Sequence, residues 1–154
     1  MTDEEFLEEI YEELQRNNIK SEILEERSVE GVDIQGELLG RKFIIRCRNY
    51  ANKKTGPNIV RELRGSLTRH PQETIGMVVI PLKDRYIQQA KASARKSRNV
   101  ILTDQENMCK DLIRLIENQR KFYFSYKCFI LSFIIGALLC IIFSKIQIVI
   151  DITP

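Results

Sequence analysis

The sequence predicts an α/β fold with a mixed central sheet, followed by a C-terminal transmembrane helix. Alternating apolar and polar residues in adjacent short segments predict antiparallel strands, and continuous apolar runs between amphipathic segments predict parallel ones. An uncharged run near the C-terminus predicts the membrane span. Before that run, the length of the 154-residue chain suits one globular domain.

A helix is predicted over residues 3–17, at the start of the chain. Phe6, Ile10 and Leu14 recur at the spacing of one helix face, and acids occupy the other faces. Thr2 can cap this helix, and the acids in its first turn favour the positive end of the helix dipole.

Three strands are predicted to follow. The segment IKSEILEERS, residues 19–28, is the first, with a mixed pattern. VDIQGEL, residues 32–38, alternates apolar and polar side chains as a half-buried strand does, and KFIIRCRNY, residues 42–50, follows after the turn LGRK. These two segments therefore predict a hairpin.

The rest of the predicted core alternates helices with buried strands. Residues 58–70 carry an apolar stripe, and Pro57 suits the first turn of that helix. The apolar run 74–81 predicts a central buried strand. The order then continues with a helix over 84–97, a buried strand over 99–103 and a last helix. Strands that alternate with helices in this way imply right-handed crossovers and some parallel pairing.

The charges of the chain are unevenly distributed. Residues 1–37 hold 13 acids and 3 bases, a net charge of −10, whereas residues 38–154 hold 21 bases and 8 acids, a net charge of +13. Such a split indicates an anionic partner for the later part. The alternative is that the acidic first helix offsets the basic remainder within one fold.

Cysteine and histidine usage narrows the possible chemistry. The chain has one histidine, His70, so only this residue could serve in a histidine-based catalytic triad. No CxxC or Cys/His spacing appears, which argues against a zinc site. The scattered cysteines fit a reducing compartment. The four cysteines are Cys47, Cys109, Cys128 and Cys140.

Residues 122–144 are predicted to form a transmembrane helix. They are apolar or uncharged except for Lys127, and a helix needs roughly 20 apolar residues to cross a bilayer. Tyr123 and Tyr126 suit the membrane interface. The alternative is a buried C-terminal helix.

The basic residues around this run predict its orientation. Three of them lie within residues 120–127, whereas only Lys145 follows closely. The positive-inside tendency then leaves the domain formed by residues 1–121 in the cytosol. Residues 145–154 are a short tail, either an extra strand or a short lumenal end. No oligomeric state follows from the sequence.

The predicted hairpin could carry a catalytic site. Side chains two residues apart on a strand share a face, so Arg46 and Arg48 point one way and Ile45 and Cys47 the other. Asp33 could lie beside the arginines across the hairpin. Phosphodiester hydrolysis uses a metal held by such acids. The same geometry also suits a solvated strand face.

The segment GVDIQGELLGRKFIIRCRNY, residues 31–50, resembles the core of the Mrr-type restriction endonucleases, in the restriction-endonuclease-like PD-(D/E)xK superfamily. Their pattern is G-(I/V)-D, a short hairpin, then Q-C-K with a basic and aromatic pair. The similarity continues in residues 56–71, 74–81 and 99–104, and covers roughly residues 4–117. It implies a three-layer core, with helices on both faces of a mixed sheet.

The resemblance also implies roles for single residues. Asp33 matches the family's metal-binding acid, which implies Mg²⁺ if the site is active. Arg46 occupies the position of the family's glutamine and Arg48 that of its catalytic lysine, while Cys47 matches the small residue between them. Leu7 falls near the family's first-helix glutamate, with acids as neighbours.

The two arginines depart from the family pattern. Arginine stays charged, so Arg48 can pair with a phosphate but cannot serve as a base. Arg46 would place a cation beside Asp33 that competes with the metal. We therefore expect weak or absent cleavage on a fold that still contacts DNA.

Four further cations are candidate DNA contacts: Lys53, Lys54, Arg61 and Arg64. Phosphate contacts of this kind add affinity that falls with salt and carry no sequence specificity. The alternative for each is a solvated helix or loop charge.

Three functions remain open from the sequence. The first is a membrane-anchored, metal-dependent DNA endonuclease. The second is a degenerate member that binds nucleic acid or another partner at a membrane without hydrolysis. The third is a membrane protein whose basic face holds anionic lipid headgroups.

Overall fold

The structure is a computed structural model that describes residues 2–24, 31–49, 54–121, 126, 129–132, 134 and 135. The chain divides into two compact units, Met1–Ile116 and Glu117–Pro154. Residues 108–116 are helical, and we call them α4. The other elements of the first unit are α1 (Asp3–Arg16), β1 (Lys20–Ile23), β2 (Ile34–Leu38), β3 (Arg41–Cys47), α2 (Asn58–Leu67), β4 (Ile75–Ile80), a 3-10 turn (Lys83–Arg85), α3 (Gln88–Arg95) and β5 (Val100–Asp104).

The described strands form one mixed sheet in the order β1-β2-β3-β4-β5. The first three strands are antiparallel neighbours, and β4 and β5 continue the sheet in parallel with β3. A two-residue turn joins β2 to β3, and both of its residues, Leu39 and Gly40, have positive φ angles of 52° and 78°. Such a turn matches the twist of a hairpin.

Two apolar clusters place helices on both faces of the sheet. On β3, the side chains of Phe43, Ile45 and Cys47 belong to the cluster beneath α1 and α4, whereas Ile44 belongs to the cluster beneath α2 and α3. The alternation follows from the period of two along a strand. The α/β core therefore fits the predicted three layers.

The first helix, α1, begins as its sequence pattern predicts. Thr2 caps α1: its side chain accepts from the backbone N–H of Glu5, and the Glu5 carboxylate accepts from the N–H of Thr2 at 2.7 Å. Phe6, Ile10 and Leu14 are fully buried. These contacts hold α1 against the face of β3 that carries Cys47.

The predicted fold class was wrong in its transmembrane helix. Within the ranges that the structure describes, no helix is long and apolar enough to cross a membrane. In the second unit the described residues 117–121, 126, 129–132, 134 and 135 are helical. The predicted span covered residues 122–144, and its remaining residues lie outside the described part of the chain. The tail, residues 145–154, also lies outside it. The membrane partner that rested on this helix is likewise not supported.

Candidate active site

Asp33 lies immediately before β2 and extends the hairpin ladder. Its backbone N–H donates to the carbonyl of Ile45 at 3.0 Å, and its carbonyl accepts from the N–H of Leu24 at 3.0 Å. Neighbours on both sides thus fix the backbone. Since 15% of the side chain is exposed, the carboxylate is largely enclosed by the protein.

The Asp33 carboxylate has two donors at the end of β3. Its Oδ2 accepts from the backbone N–H of Cys47 at 2.7 Å and from Arg48 Nη1 at 3.0 Å. The same Nη1 donates to the carbonyl of Cys47 at 2.6 Å. The Arg48 backbone N–H donates to the carbonyl of Val79 on β4 at 3.0 Å. Arg48 is therefore fixed by its backbone as well as by its ion pair.

Arg46 lies in a different environment. It is buried on the α2 face of β3, with Nη2 at 3.1 Å from Oε2 of Glu62 on α2. Gly31 lies directly against it: a Cβ at Gly31 would be 2.4 Å from Arg46 Nη2. The expectation that Arg46 is the cation beside Asp33 is therefore corrected, because Arg48 makes that ion pair.

Cys47, between the two arginines, points into the apolar cluster beneath α1 and α4. Burial raises the pKa of its thiol well above its usual range, the charge of Asp33 raises it further, and Arg48 partly opposes this. The thiol stays protonated at neutral pH, so Cys47 is a core residue and not a nucleophile.

Among the described residues, the acids near the site do not form a group that fits a divalent cation. In the part of the chain that the structure describes, no group of three or more His, Cys, Asp or Glu side chains could hold a metal ion. Glu4 and Glu8, the acids on either side of Leu7, are exposed on α1. Asp33 supplies one carboxylate, and that carboxylate already carries Arg48.

The four predicted DNA contacts have separate environments. Lys54 and Arg61 are exposed, and Arg61 Nη2 donates to Oδ1 of Asn58 at 2.6 Å on the same helix. Arg64 donates instead to the carbonyl of Ser93 in the last turn of α3 and joins the two helices. Lys53 lies outside the described residues.

A second polar network lies at the carboxyl edge of β4 and β5. The Tyr86 hydroxyl lies within hydrogen-bond distance of the carbonyls of Val78 (2.9 Å) and Thr103 (3.1 Å). Burial raises the pKa of Tyr86, which keeps the phenol neutral. Thr103 Oγ1 donates to Asp111 Oδ2 at 2.7 Å, and that oxygen also pairs with Lys83 at 3.0 Å. This network fixes the segment between β4 and α3.

Sequence reasoning missed Glu62 and Gly31. The pair of Arg46 and Glu62 joins a strand to a helix, so no local spacing indicates it. Gly31 has a φ of +61°, a conformation that glycine adopts readily. Its place in the G-V-D pattern was a signal for a special backbone position, although not for its contact with Arg46.

The three-layer core and the hairpin site define a restriction-endonuclease-like domain. A family model described as restriction endonuclease, Mrr_cat, matches residues 1–112. The chain therefore belongs to the Mrr-type restriction endonuclease family.

No curated protein matches the chain. Among solved structures, the chain is similar to an XisH family protein from Nostoc punctiforme PCC 73102, with a TM-score of 0.43 and 17% sequence identity. The match covers 66% of this chain and 92% of that one.

Proposed function

We propose that this domain binds DNA and that its phosphodiester cleavage is weak or absent. Membership of a restriction endonuclease family supports DNA as the partner. The ion pair of Arg48 with Asp33 carries the second half of the proposal. A lysine at this position could lose its proton and assist hydrolysis, whereas an arginine stays charged.

Two exposed cations support a surface for the DNA backbone. Lys54 and Arg61 lie on the segment that leaves the carboxyl end of β3 and continues into α2, so they follow Arg48 along the chain. Contacts of lysine and arginine with phosphates supply sequence-independent affinity. We therefore expect binding that weakens steeply as salt rises.

Cleavage of supercoiled plasmid by the full chain, with Mg²⁺ or Mn²⁺, tests the catalytic half. We expect weak or no cleavage by the wild-type protein and none by Asp33→Ala. The double variant Arg46→Gln, Arg48→Lys restores the family residues, and cleavage that appears there would mean the scaffold is intact. Efficient cleavage by the wild-type protein that is lost in Asp33→Ala would overturn this half and make the protein an active endonuclease.

The binding half is tested without metal. Fluorescence anisotropy of labelled duplex DNA in EDTA, at several salt concentrations, measures affinity separately from hydrolysis. We expect log Kd to rise linearly with log salt concentration. Absence of DNA binding at low salt would refute the proposal that the domain binds DNA, whatever the cleavage assay shows.

A further inference from the structure

Arg48 contacts two oxygens at the end of β3 with one nitrogen. Its Nη1 lies 3.0 Å from Asp33 Oδ2 and 2.6 Å from the Cys47 carbonyl oxygen. A carboxylate and a backbone carbonyl are also oxygen ligands that hard divalent cations prefer. The guanidinium therefore lies where two potential metal ligands converge.

We propose that the Arg48 guanidinium is a built-in cation that occupies the divalent-metal position at Asp33. In the native protein this position takes no Mg²⁺ or Mn²⁺, and removing the guanidinium opens it. The inference deepens the proposed function, because it gives the cause of weak cleavage and limits it to one residue of the two that depart from the family.

Two backbone hydrogen bonds and partial burial hold Arg48 and Asp33 in this arrangement. The Cys47 N–H fixes Asp33 Oδ2 from the β3 side at 2.7 Å, so the carboxylate cannot turn away without losing a hydrogen bond. The Arg48 backbone is tied to Val79 at 3.0 Å. With 24% of the Arg48 side chain and 15% of the Asp33 side chain exposed, the pair is less screened than a surface ion pair.

A divalent cation would have to displace this arrangement. Two cations at one carboxylate repel each other, and the charge of arginine cannot be removed by deprotonation. Arg46 is not part of this ion pair, because its guanidinium pairs with Glu62 on α2. The inference therefore separates the two arginines that the motif places side by side.

The guanidinium keeps donors for a ligand. It has five N–H groups, and among the described residues only Nη1 is engaged by the protein. Nη2 and Nε belong to a side chain that is 24% exposed. Arg48 can therefore contact a DNA phosphate directly, in the absence of a metal ion.

The test measures cation binding without DNA. Millimolar Mn²⁺ is added to the ¹⁵N-labelled full chain, and paramagnetic broadening of the Asp33 and Cys47 amide signals reports even a weak site. We expect no selective broadening in the wild-type protein and selective broadening in Arg48→Ala. The double variant Asp33→Asn, Arg48→Ala should lose the selective broadening. The matched control Arg61→Ala should show no selective broadening, as in the wild-type protein.

Selective broadening in the wild-type protein that vanishes in Asp33→Asn would overturn the inference. So would its absence in a folded Arg48→Ala. If Arg48→Ala does not fold, Arg48→Gln keeps a side chain of similar length without the charge and is held to the same outcomes. DNA anisotropy in EDTA separates the two proposals, since loss of DNA binding leaves the cation result standing.

Discussion

Arg46 and Arg48 lie two residues apart, and the end of a strand decides which partner each side chain meets. β3 ends at Cys47, so Arg46 follows the alternation of the strand and lies against α2. Arg48 comes after the strand, and its side chain turns to Asp33. One arginine therefore serves packing and the other the candidate site.

Gly31 shows how closely Arg46 is enclosed. We expect Gly31→Ala to lower the free energy of unfolding by about 2 kcal/mol, measured by urea denaturation. About 1 kcal/mol comes from the left-handed backbone at φ +61°. About 1 kcal/mol more comes from displacing the buried Arg46 guanidinium from Glu62.

Gly40 is the matched control for this substitution. It also has a positive φ, of 78°, but a Cβ there would meet nothing within 4 Å. Gly40→Ala should therefore cost only the backbone term, about 1 kcal/mol. In an Arg46→Ala background the excess cost of Gly31→Ala should disappear. An excess that persists there would refute the contact as its cause.

At the scale of elements, the close approach of α2 to β4 depends on Gly76. A Cβ at this position would lie 2.8 Å from Leu67 Cδ1 and 3.0 Å from Leu63 Cγ. Leu63 is fully buried. We expect Gly76→Ala to destabilise the fold by about 1–3 kcal/mol through overpacking, seen as a lower urea midpoint.

Gly65, on α2 itself, provides the opposite expectation. A Cβ there would meet nothing within 4 Å, so alanine adds helix propensity without a clash. Gly65→Ala should raise stability by about 0.5–1 kcal/mol. If both substitutions changed stability in the same direction, steric contact between α2 and β4 would not explain the result at Gly76.

Much of the element order could be predicted from the sequence because each element has a local pattern. The apolar run at β4 and the alternation at β2 indicate strands wherever they stand in the fold. The apolar run over 122–144 was less informative, because an apolar composition alone does not distinguish a membrane span from another apolar segment. Among the described residues, no helix meets both the length and the apolar character that a span requires, so the predicted span is not supported.

The candidate site could be predicted only in part. Spacing placed Asp33 and Arg48 near each other, and the structure brings them into contact. Spacing also placed Arg46 beside Asp33, which was wrong because Glu62 on α2 competes for it. Partners far apart in sequence leave no periodic signal, so the separation of the two arginines needed the three-dimensional fold. Whether Asp33, Arg46 and Arg48 are catalytic stays a prediction.

At the scale of the whole molecule, the basic later part of the chain divides into cations that bind other parts of the protein and cations that face solvent. Arg64 belongs to the first class, since it donates to the Ser93 carbonyl at the end of α3. Arg61 belongs to the second, since it is exposed and its guanidinium donates to Asn58 on its own helix turn. The two arginines are three residues apart on α2, which makes them a matched pair.

This division predicts opposite effects for two alanine variants. Arg61→Ala should weaken DNA binding, reduce the slope of log Kd against log salt by about one, and leave the free energy of unfolding within about 0.5 kcal/mol. Arg64→Ala should lower the free energy of unfolding by about 1–3 kcal/mol, because a partly buried charged hydrogen bond is lost. For both variants, anisotropy measures the affinity for DNA and its salt dependence, and urea denaturation measures the free energy of unfolding. If Arg61→Ala bound DNA like the wild type while Arg64→Ala lost binding without losing stability, the DNA surface would include the α2–α3 junction instead of the exposed side of α2.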